Sequence, residues 1–397
     1  MFRNVDLRLT GLLPLFFLLL GCGHTAQPDQ VPTRGQLSDQ DIMVPLDREI
    51  ARYYVEDYPA EHPEGWHERL QSYDEIIGSG RMDQRFLADV AERYDSVDLA
   101  ALMFMRHVFE DQTNREWQAC LGRVSRDLRL GDRNNLPSLE PDANDWKVVF
   151  MPGWLYKDHA HTEADFSRTR RALDSIGFPY RFVETPQDGT VEENAQVLAD
   201  VLREYDGRAQ QLILVSASKS AAEVHWALGH LLEPEETEAV AAWINAGGVI
   251  GGTPLADHWS RFPRNLFARS VFLWKGWSFA SLKSLRTEDS QARLEQARLP
   301  DHVLVVNYVA VPMGYQVSQA ARNRYQLLSR QGPSDGLAPL WHSKMPGGVT
   351  LVELGADHYF LTVDISNRTL ALTEMVLAWL ASGQCPDAPA NASDFVV

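Results

Sequence analysis

The sequence predicts an α/β protein whose central sheet is mostly parallel and covered by helices on both faces. From residue 146 onward, short apolar segments of strand length alternate with longer segments that have helical periodicity. Strands that alternate with helices are typical of a parallel, doubly wound sheet. The chain has 397 residues, of which 45% are hydrophobic. It can therefore bury a large core and still carry an additional segment.

The predicted elements follow one another in a regular order. Strands are predicted at residues 147–151, 181–183, 212–215, 240–245, 303–311 and 350–354. Helices are predicted across residues 163–176, 191–204 and 219–232. In sheets of this kind the reactive groups lie beyond the carboxyl ends of the strands. This rule brings five residues into one region of the molecule: Gly153, Ser218, Gly252, Asp335 and His358.

Residues 1–21 have the pattern of a secretory signal peptide. Arg3 and Arg8 precede an apolar run that is too short to span a bilayer comfortably. The run ends in Leu-Leu-Gly-Cys, which resembles the lipobox of bacterial lipoproteins. The resemblance implies acylation of Cys22 and a lipid-anchored protein at the cell envelope, in the outer membrane if the cell has one. An ordinary signal peptide followed by a chance cysteine is the alternative.

Four further regions are predicted after the signal peptide. Residues 22–37 are rich in Gln, Pro and Thr and predict a flexible tether. Residues 38–131 have apolar side chains at three- and four-residue spacing, which predicts a helical layer packed on the main domain. The main α/β domain is predicted over residues 146–382, and residues 383–397 are predicted to be a flexible tail.

Two cysteines remain if Cys22 carries a lipid. In an oxidising compartment Cys120 and Cys385 could form a disulfide. Two free buried thiols are equally compatible with the sequence.

The formal net charge of -17 limits the classes of partner. Nucleic-acid binding needs clustered Lys and Arg, so it is not expected. General electrostatic adsorption on anionic lipid is disfavoured for the same reason. The negative charge is therefore interpreted as that of a soluble protein whose molecules repel one another.

The main candidate site is the segment Leu-Ile-Leu-Val-Ser-Ala-Ser-Lys-Ser-Ala-Ala at residues 212–222. A buried strand runs through a tight turn directly into a helix, which is the geometry of a nucleophile elbow around Ser218. The usual motif has glycine two residues before and two residues after the serine. Here Ser216 and Ser220 stand at those positions, and their Cβ atoms raise the backbone cost. A serine-rich helix N-cap would give the same pattern.

Three later motifs favour the elbow. They are Gly-Pro-Ser-Asp-Gly-Leu at 332–337, Gly-Ala-Asp-His-Tyr-Phe at 355–360 and Ile-Gly-Gly-Thr-Pro-Leu-Ala at 250–256. With these motifs, residues 146–380 resemble the α/β-hydrolase family, especially its lipases and esterases. The resemblance implies that Ser218 is the nucleophile, Asp335 the triad acid and His358 the base, in the chain order of that fold.

The resemblance also implies an oxyanion hole made of two backbone amides. One is the amide of Lys219, directly after the nucleophile. The other comes from the turn after the first strand, where Pro152 replaces the usual histidine and has no N–H. The second donor is therefore Trp154 or Leu155. The Lys219 side chain is expected to be solvated, or else to steer an anionic group.

The family resemblance implies no metal or organic cofactor. His159 and His161 faintly resemble part of a zinc-hydrolase motif, but no Asp-His pair completes it. These histidines are expected in solvent or at the mouth of the cleft.

Residues 257–300 lie where α/β-hydrolases often carry a cap. The stretch is rich in aromatic residues and arginines. It is either an aromatic-lined lid over an acyl pocket or a surface helix that buries one apolar face.

The sequence therefore predicts a lipid-anchored serine hydrolase that cleaves small-molecule or lipid esters through an acyl-enzyme on Ser218. A non-catalytic envelope binding protein on the same scaffold is one alternative. An acyltransferase that uses the same triad is another.

Overall fold

The structure, a computed structural model, describes residues 30–38, 40–56, 65–129, 145–159 and 162–386. The predicted signal peptide, Cys22 and residues 387–397 lie outside these ranges. The first described elements are an antiparallel hairpin and five helices. They are β1 (Gly35–Leu37), β2 (Gln40–Ile42), α1 (Glu49–Glu56), α2 (Trp66–Gly78), α3 (Gln84–Tyr94), α4 (Val97–Glu110) and α5 (Gln112–Arg129). The chain is thus helical over most of the described part of 38–131, as predicted.

The hairpin corrects the predicted tether over residues 22–37. Val31 exchanges two backbone hydrogen bonds with Leu46, at 2.8 and 3.0 Å. Gly35 lies so close to α1 that a Cβ atom there would come within 2.3 Å of the Val55 carbonyl oxygen. Residues 30–37 are therefore fixed by contacts with later parts of the chain, which their own polar composition does not reveal.

Six parallel strands form the central sheet in the order β4-β3-β5-β6-β7-β8. They are β3 (Trp146–Met151), β4 (Tyr180–Phe182), β5 (Gln211–Ala217), β6 (Val240–Ala246), β7 (Leu304–Val311) and β8 (Val349–Leu354). Each strand lies within three residues of a predicted one. The predicted fold class is confirmed.

Helices cover both faces of the sheet. They are α6 (Ser167–Ile176), α7 (Val191–Arg203), α8 (Ser220–Trp226), α9 (Pro254–Ser260), α10 (Arg264–Lys275), α11 (Phe279–Lys283), α12 (Thr287–Gln296), α13 (Gln319–Leu328) and α14 (Ile365–Ser382). The apolar cluster on one face joins the strands to α5, α6 and α14. The cluster on the other face joins them to α7, α8 and the segment α9–α12. No helix within the described ranges has both the length and the apolar character needed to cross a bilayer.

Helix α5 covers the outer edge of β8, the last strand of the sheet. The Asn114 side chain accepts a hydrogen bond from the backbone N–H of Thr350 at 2.7 Å. Gln118, one turn later, accepts from the N–H of Val352 at 2.9 Å and donates to the carbonyl of the same residue at 3.0 Å. Two side-chain amides thus satisfy backbone groups that a further strand would otherwise pair with.

A disulfide joins Cys120 on α5 to Cys385, with Cα atoms 6.0 Å apart. Of the two alternatives left open by the sequence, the structure has the disulfide. The prediction that residues 383–397 form a flexible tail is wrong at the start of that range, because Cys385 is bonded to the helical layer. The pairing partner lies 265 residues away, so local composition could not show it.

Candidate active site

Ser218 occupies a strained turn between β5 and α8. Its φ angle is 59°, in the left-handed region that residues with a Cβ atom rarely adopt. Its N–H donates to the carbonyl of Ala246 at 3.3 Å, and its own carbonyl accepts from Val249 at 3.0 Å and from Ala221 at 3.2 Å. Bonds to the segment after β6 and to α8 therefore hold the turn in place. This is the geometry of a nucleophile elbow.

The two serines that replace glycine in the motif are fully buried and hydrogen-bonded. The Ser216 hydroxyl accepts from the indole N–H of Trp243 at 2.8 Å. The Ser220 hydroxyl accepts from the N–H of Ala217 at 2.9 Å and donates to the carbonyl of Met151 at 2.7 Å. Neither serine has a positive φ angle. The backbone cost expected from their Cβ atoms is therefore absent, because Ser218 alone of the three adopts the strained conformation.

Asp335 and His358 form a buried pair. His358 Nδ1 donates to Asp335 Oδ2 at 2.7 Å. The other carboxylate oxygen of Asp335 accepts from the N–H groups of Leu337 and Ala338, both at 2.8 Å. The backbone N–H of His358 also donates to the Asp335 carbonyl, at 2.8 Å. The carboxylate therefore fixes the imidazole tautomer that leaves Nε2 free to accept a proton.

The third motif, Gly-Gly-Thr-Pro, supports the aspartate loop. The Thr253 hydroxyl donates to the carbonyl of Leu337, two residues after the aspartate. Gly252 has a φ angle of 78°, and a Cβ atom there would come within 2.9 Å of the Arg286 carbonyl oxygen. The motif is thus a positioning turn between β6, the aspartate loop and the segment that precedes α12.

Gly247 links the elbow to the histidine. It follows Ala246, which accepts the Ser218 N–H, and its own N–H donates to the Tyr308 carbonyl at 2.9 Å. A Cβ atom on Gly247 would lie 3.9 Å from His358 Nδ1 and 3.1 Å from the Phe360 ring. The structure therefore pairs Asp335 with His358 and connects this pair, through Gly247 and Ala246, to the turn that carries Ser218.

The turn after β3 lies beside the elbow. A Cβ atom on Gly153 would be 3.4 Å from the carbonyl oxygen of Ala217, the residue before Ser218. Within the described ranges, neither the amide of Trp154 nor that of Lys219 donates to a protein acceptor. Two amides are thus available for an oxyanion.

The prediction that Leu155 could be the second donor is wrong. Its N–H donates to the carbonyl of Gln187 at 2.9 Å. That acceptor belongs to the loop before α7, 32 residues further along the chain. Trp154 remains as the candidate from this turn.

The expectations for the Lys219 side chain are also wrong. It is fully buried, and its ammonium group contacts a carboxylate oxygen of Glu223. The same oxygen accepts from the Asn194 side chain at 2.9 Å. Burial raises the pKa of Glu223, and the Lys219 ammonium and these hydrogen bonds oppose that rise. The lysine is a structural cation behind the elbow and cannot steer a substrate. Its signal in the sequence was the glutamate four residues later.

The segment α9–α12 packs over the candidate oxyanion turn. The Trp154 indole N–H donates to Ser281 at 3.1 Å, and its ring stacks on Phe272 with ring centres 6.0 Å apart. Phe272 also packs edge-on against Phe279, 5.5 Å away. The segment therefore covers this turn with aromatic side chains.

The two histidines of the weak metal motif are only partly described. His159 packs near Trp277, with ring centres 6.1 Å apart, and His161 lies outside the described residues. In the part of the chain that the structure describes, no three His, Cys, Asp or Glu side chains are grouped to hold a metal ion.

Several solved structures have a similar backbone. A carboxyl esterase from a metagenome is 20% identical, with a TM-score of 0.49 over 60% of this chain and 76% of that one. The mature form of a Bacillus licheniformis lipase is 20% identical, with a TM-score of 0.48 over 60% of this chain and 94% of that one. Lipase 1 from Pelosinus fermentans is 12% identical, with a TM-score of 0.45 over 60% of this chain and 99% of that one.

No protein-family model matches the sequence, and no curated protein matches it significantly. The structural similarities are too low to transfer an activity. The chain's own sheet order, elbow and loop positions nevertheless define an α/β-hydrolase fold.

Proposed function

We propose that this protein is a serine hydrolase that cleaves carboxylic esters through an acyl-enzyme on Ser218. One observation carries the proposal. A serine with a left-handed backbone stands at the end of β5, and a histidine that is hydrogen-bonded to a buried aspartate lies against Gly247, which follows the residue that accepts the Ser218 N–H. A helix N-cap does not need that backbone angle, whereas a nucleophile held clear of the sheet does.

In the first half-reaction, Ser218 Oγ attacks the ester carbonyl carbon while His358 Nε2 takes the hydroxyl proton. Negative charge develops on the carbonyl oxygen and is stabilised by the amides of Lys219 and Trp154. Asp335 stabilises the imidazolium that forms. When the tetrahedral intermediate collapses, the carbon–oxygen bond to the alcohol breaks. The alcohol leaves with the proton from His358.

In the second half-reaction, a water molecule replaces the alcohol. His358 removes a proton from the water as its oxygen attacks the acyl carbon. The second tetrahedral intermediate expels Ser218 Oγ, which recovers the proton from the imidazolium. The products are a carboxylic acid and the free enzyme. Small-molecule or lipid esters are the proposed substrates, because aromatic side chains approach the oxyanion turn from the cap.

A fluorophosphonate probe tests the proposal directly. The wild-type protein should be labelled, and Ser218→Ala should not. Ser72→Ala is the control, since it removes an exposed serine hydroxyl far along the chain from the elbow and should leave labelling unchanged. Failure to label a folded wild-type protein would favour the non-catalytic alternative and reject the hydrolase. Products formed from a nitrophenyl ester with added alcohols distinguish hydrolysis from acyl transfer.

We further propose that the protein is anchored outside the cytoplasm by a lipid on Cys22, in the outer membrane if the cell has one, and faces the periplasm or the exterior. The Leu-Leu-Gly-Cys segment supports this, and the disulfide fits an oxidising compartment. Cells fed radiolabelled palmitate should label the wild-type protein and not Cys22→Ser. Equal labelling of both would reject the anchor.

A further inference from the structure

Helix α10 has apolar side chains on two opposite sides. Ala268 and Phe272 are buried beneath it, and Phe272 contacts Trp154. The opposite side, here called the outer face, consists of exposed apolar side chains on α10 and the loop before it: Phe262, Leu266, Phe267, Leu273 and Trp274. The most exposed are Leu273 at 83%, Phe262 at 77% and Trp274 at 70%.

The outer face is a cluster and not a scatter of single residues. Nine large apolar side chains are exposed among the described residues, and five of them belong to this face. On a helix, positions 266, 273 and 274 lie on the same side. Exposed apolar clusters of this kind mark surfaces that contact a partner or a membrane.

The charge of the chain around the outer face favours an anionic partner. Between Asp257 and Glu288 the chain has no acidic residue. The same stretch contains six basic residues: Arg261, Arg264, Arg269, Lys275, Lys283 and Arg286. Arg286 is paired with Asp289. The other basic residues of the stretch have no carboxylate within ion-pair distance among the described residues.

The basic groups stand beside aromatic rings, as in a membrane-interface surface. The Arg269 guanidinium lies 5.2 Å from the centre of the Phe279 ring, and the Lys275 ammonium lies 5.0 Å from that of Trp274. Aromatic and basic side chains together favour the boundary between water and an anionic lipid surface.

Two nearby carboxylates accept hydrogen bonds from residues of the segment before α11. Asp158 accepts from the Trp277 indole N–H at 2.7 Å, and Asp188 accepts from the backbone N–H of Ser278 at 2.6 Å. They lie at the start of α11 and not on the outer face of α10. A segment as long as residues 258–287 without an acidic residue is unusual in a chain of net charge -17, whose remaining surface would be repelled by anionic lipid.

We propose that the outer face of α10 is a permanent docking surface for an anionic phospholipid bilayer. It requires no lid movement, because the inner side of α10 stays packed on the core while the outer side is already exposed. The proposal is independent of turnover at Ser218 and of acylation at Cys22.

Vesicle co-sedimentation tests the proposal with residues 23–397, so that neither the apolar run before Cys22 nor a lipid on Cys22 contributes. Vesicles of phosphatidylglycerol and phosphatidylcholine in equal parts should bind the protein, and pure phosphatidylcholine should bind it at least tenfold more weakly. The variant Leu266→Ser/Leu273→Ser/Trp274→Ser should lose at least tenfold in apparent affinity. The variant Arg264→Gln/Arg269→Gln/Lys275→Gln should also lose at least tenfold in apparent affinity for the mixed vesicles.

The matched control is Met43→Ser/Leu327→Ser, which removes exposed apolar side chains elsewhere on the surface and should bind like the parent. Circular dichroism and thermal unfolding confirm that each variant is folded. The proposal is overturned if the parent does not sediment with mixed vesicles, or if the apolar variant sediments equally well. It is also overturned if light scattering shows a dimer that the apolar variant dissociates, since a second copy would then cover the face.

Discussion

The indole N–H of Trp243 on β6 donates to the hydroxyl of Ser216 on β5 at 2.8 Å, and both residues are fully buried. The serine that replaces the first elbow glycine is thus the hydrogen-bond partner of one of the largest core side chains. Glycine at this position could not accept that bond.

Replacing Ser216 by Ala should therefore destabilise the protein. The Trp243 N–H would be left buried without its acceptor, which costs about 1–3 kcal/mol. Urea unfolding measures the loss. Ser72→Ala, an exposed hydroxyl on α2, is the control and should change stability by less than about 0.5 kcal/mol. Equal stability of Ser216→Ala and wild type would show that the bond contributes nothing net.

Asp335→Asn should preserve the fold and abolish most activity. An asparagine oxygen can still accept from Leu337 and Ala338, but its NH2 group would face His358 Nδ1 and favour the wrong imidazole tautomer. The corresponding change in a serine protease lowers kcat by about 10⁴-fold, and we expect a loss of about 10³- to 10⁴-fold in kcat.

The control for this variant is Asp357→Asn in the neighbouring loop. Asp357 is buried too, but its carboxylate accepts from the backbone N–H groups of Ser318 and Tyr359 and is not bonded to a histidine among the described residues. Its kcat should stay within about tenfold of wild type, because no catalytic tautomer depends on it. Equal losses in both variants would assign the effect of Asp335 to loop structure.

Lys219→Met should destabilise the protein more than the double variant Lys219→Met/Glu223→Leu. The single variant leaves Glu223 buried without its cation, and breaking a buried ion pair in this way costs about 3–5 kcal/mol. In Lys219→Met/Glu223→Leu both charges are gone, so most of that stability should return. Urea unfolding of the three proteins gives the comparison. A double variant no more stable than the single one would contradict the interpretation.

The stability of the protein should fall with pH between about 6.5 and 4 partly because of His225. Burial, aided by the positive charge of Arg293, lowers the pKa of His225 to about 4. The folded state therefore favours neutral imidazole. Its contribution is complete above the unfolded pKa of about 6.5 and is lost as pH falls towards 4.

Between pH 6.5 and 4 this histidine should lower the free energy of unfolding by about 3 kcal/mol. Measured by urea unfolding at several pH values, His225→Phe should lack that part of the slope. A variant whose stability follows the same pH curve as wild type would mean that His225 does not control it.

The sequence was sufficient to predict the sheet, and its motifs pointed to Ser218, Asp335 and His358, of which the structure pairs the last two and gives the first an elbow backbone. It was not sufficient where contacts between residues far apart in the chain determine the local structure. The Leu155 N–H donates to the carbonyl of Gln187, a partner that local spacing does not identify. Val31 and Gly35 are ordered by contacts with later residues. The burial of Lys219 was partly visible, because Glu223 follows one helical turn later.

The side-chain amides of Asn114 and Gln118 along β8 bear on how this protein can be trimmed. A shortened version starting near residue 145 would contain every triad residue. It would also uncover the β8 edge, a template on which a strand from another molecule could add. The helical layer is thus a built-in barrier to self-association, and a minimal α/β domain cut from this chain should polymerise more readily than the full protein.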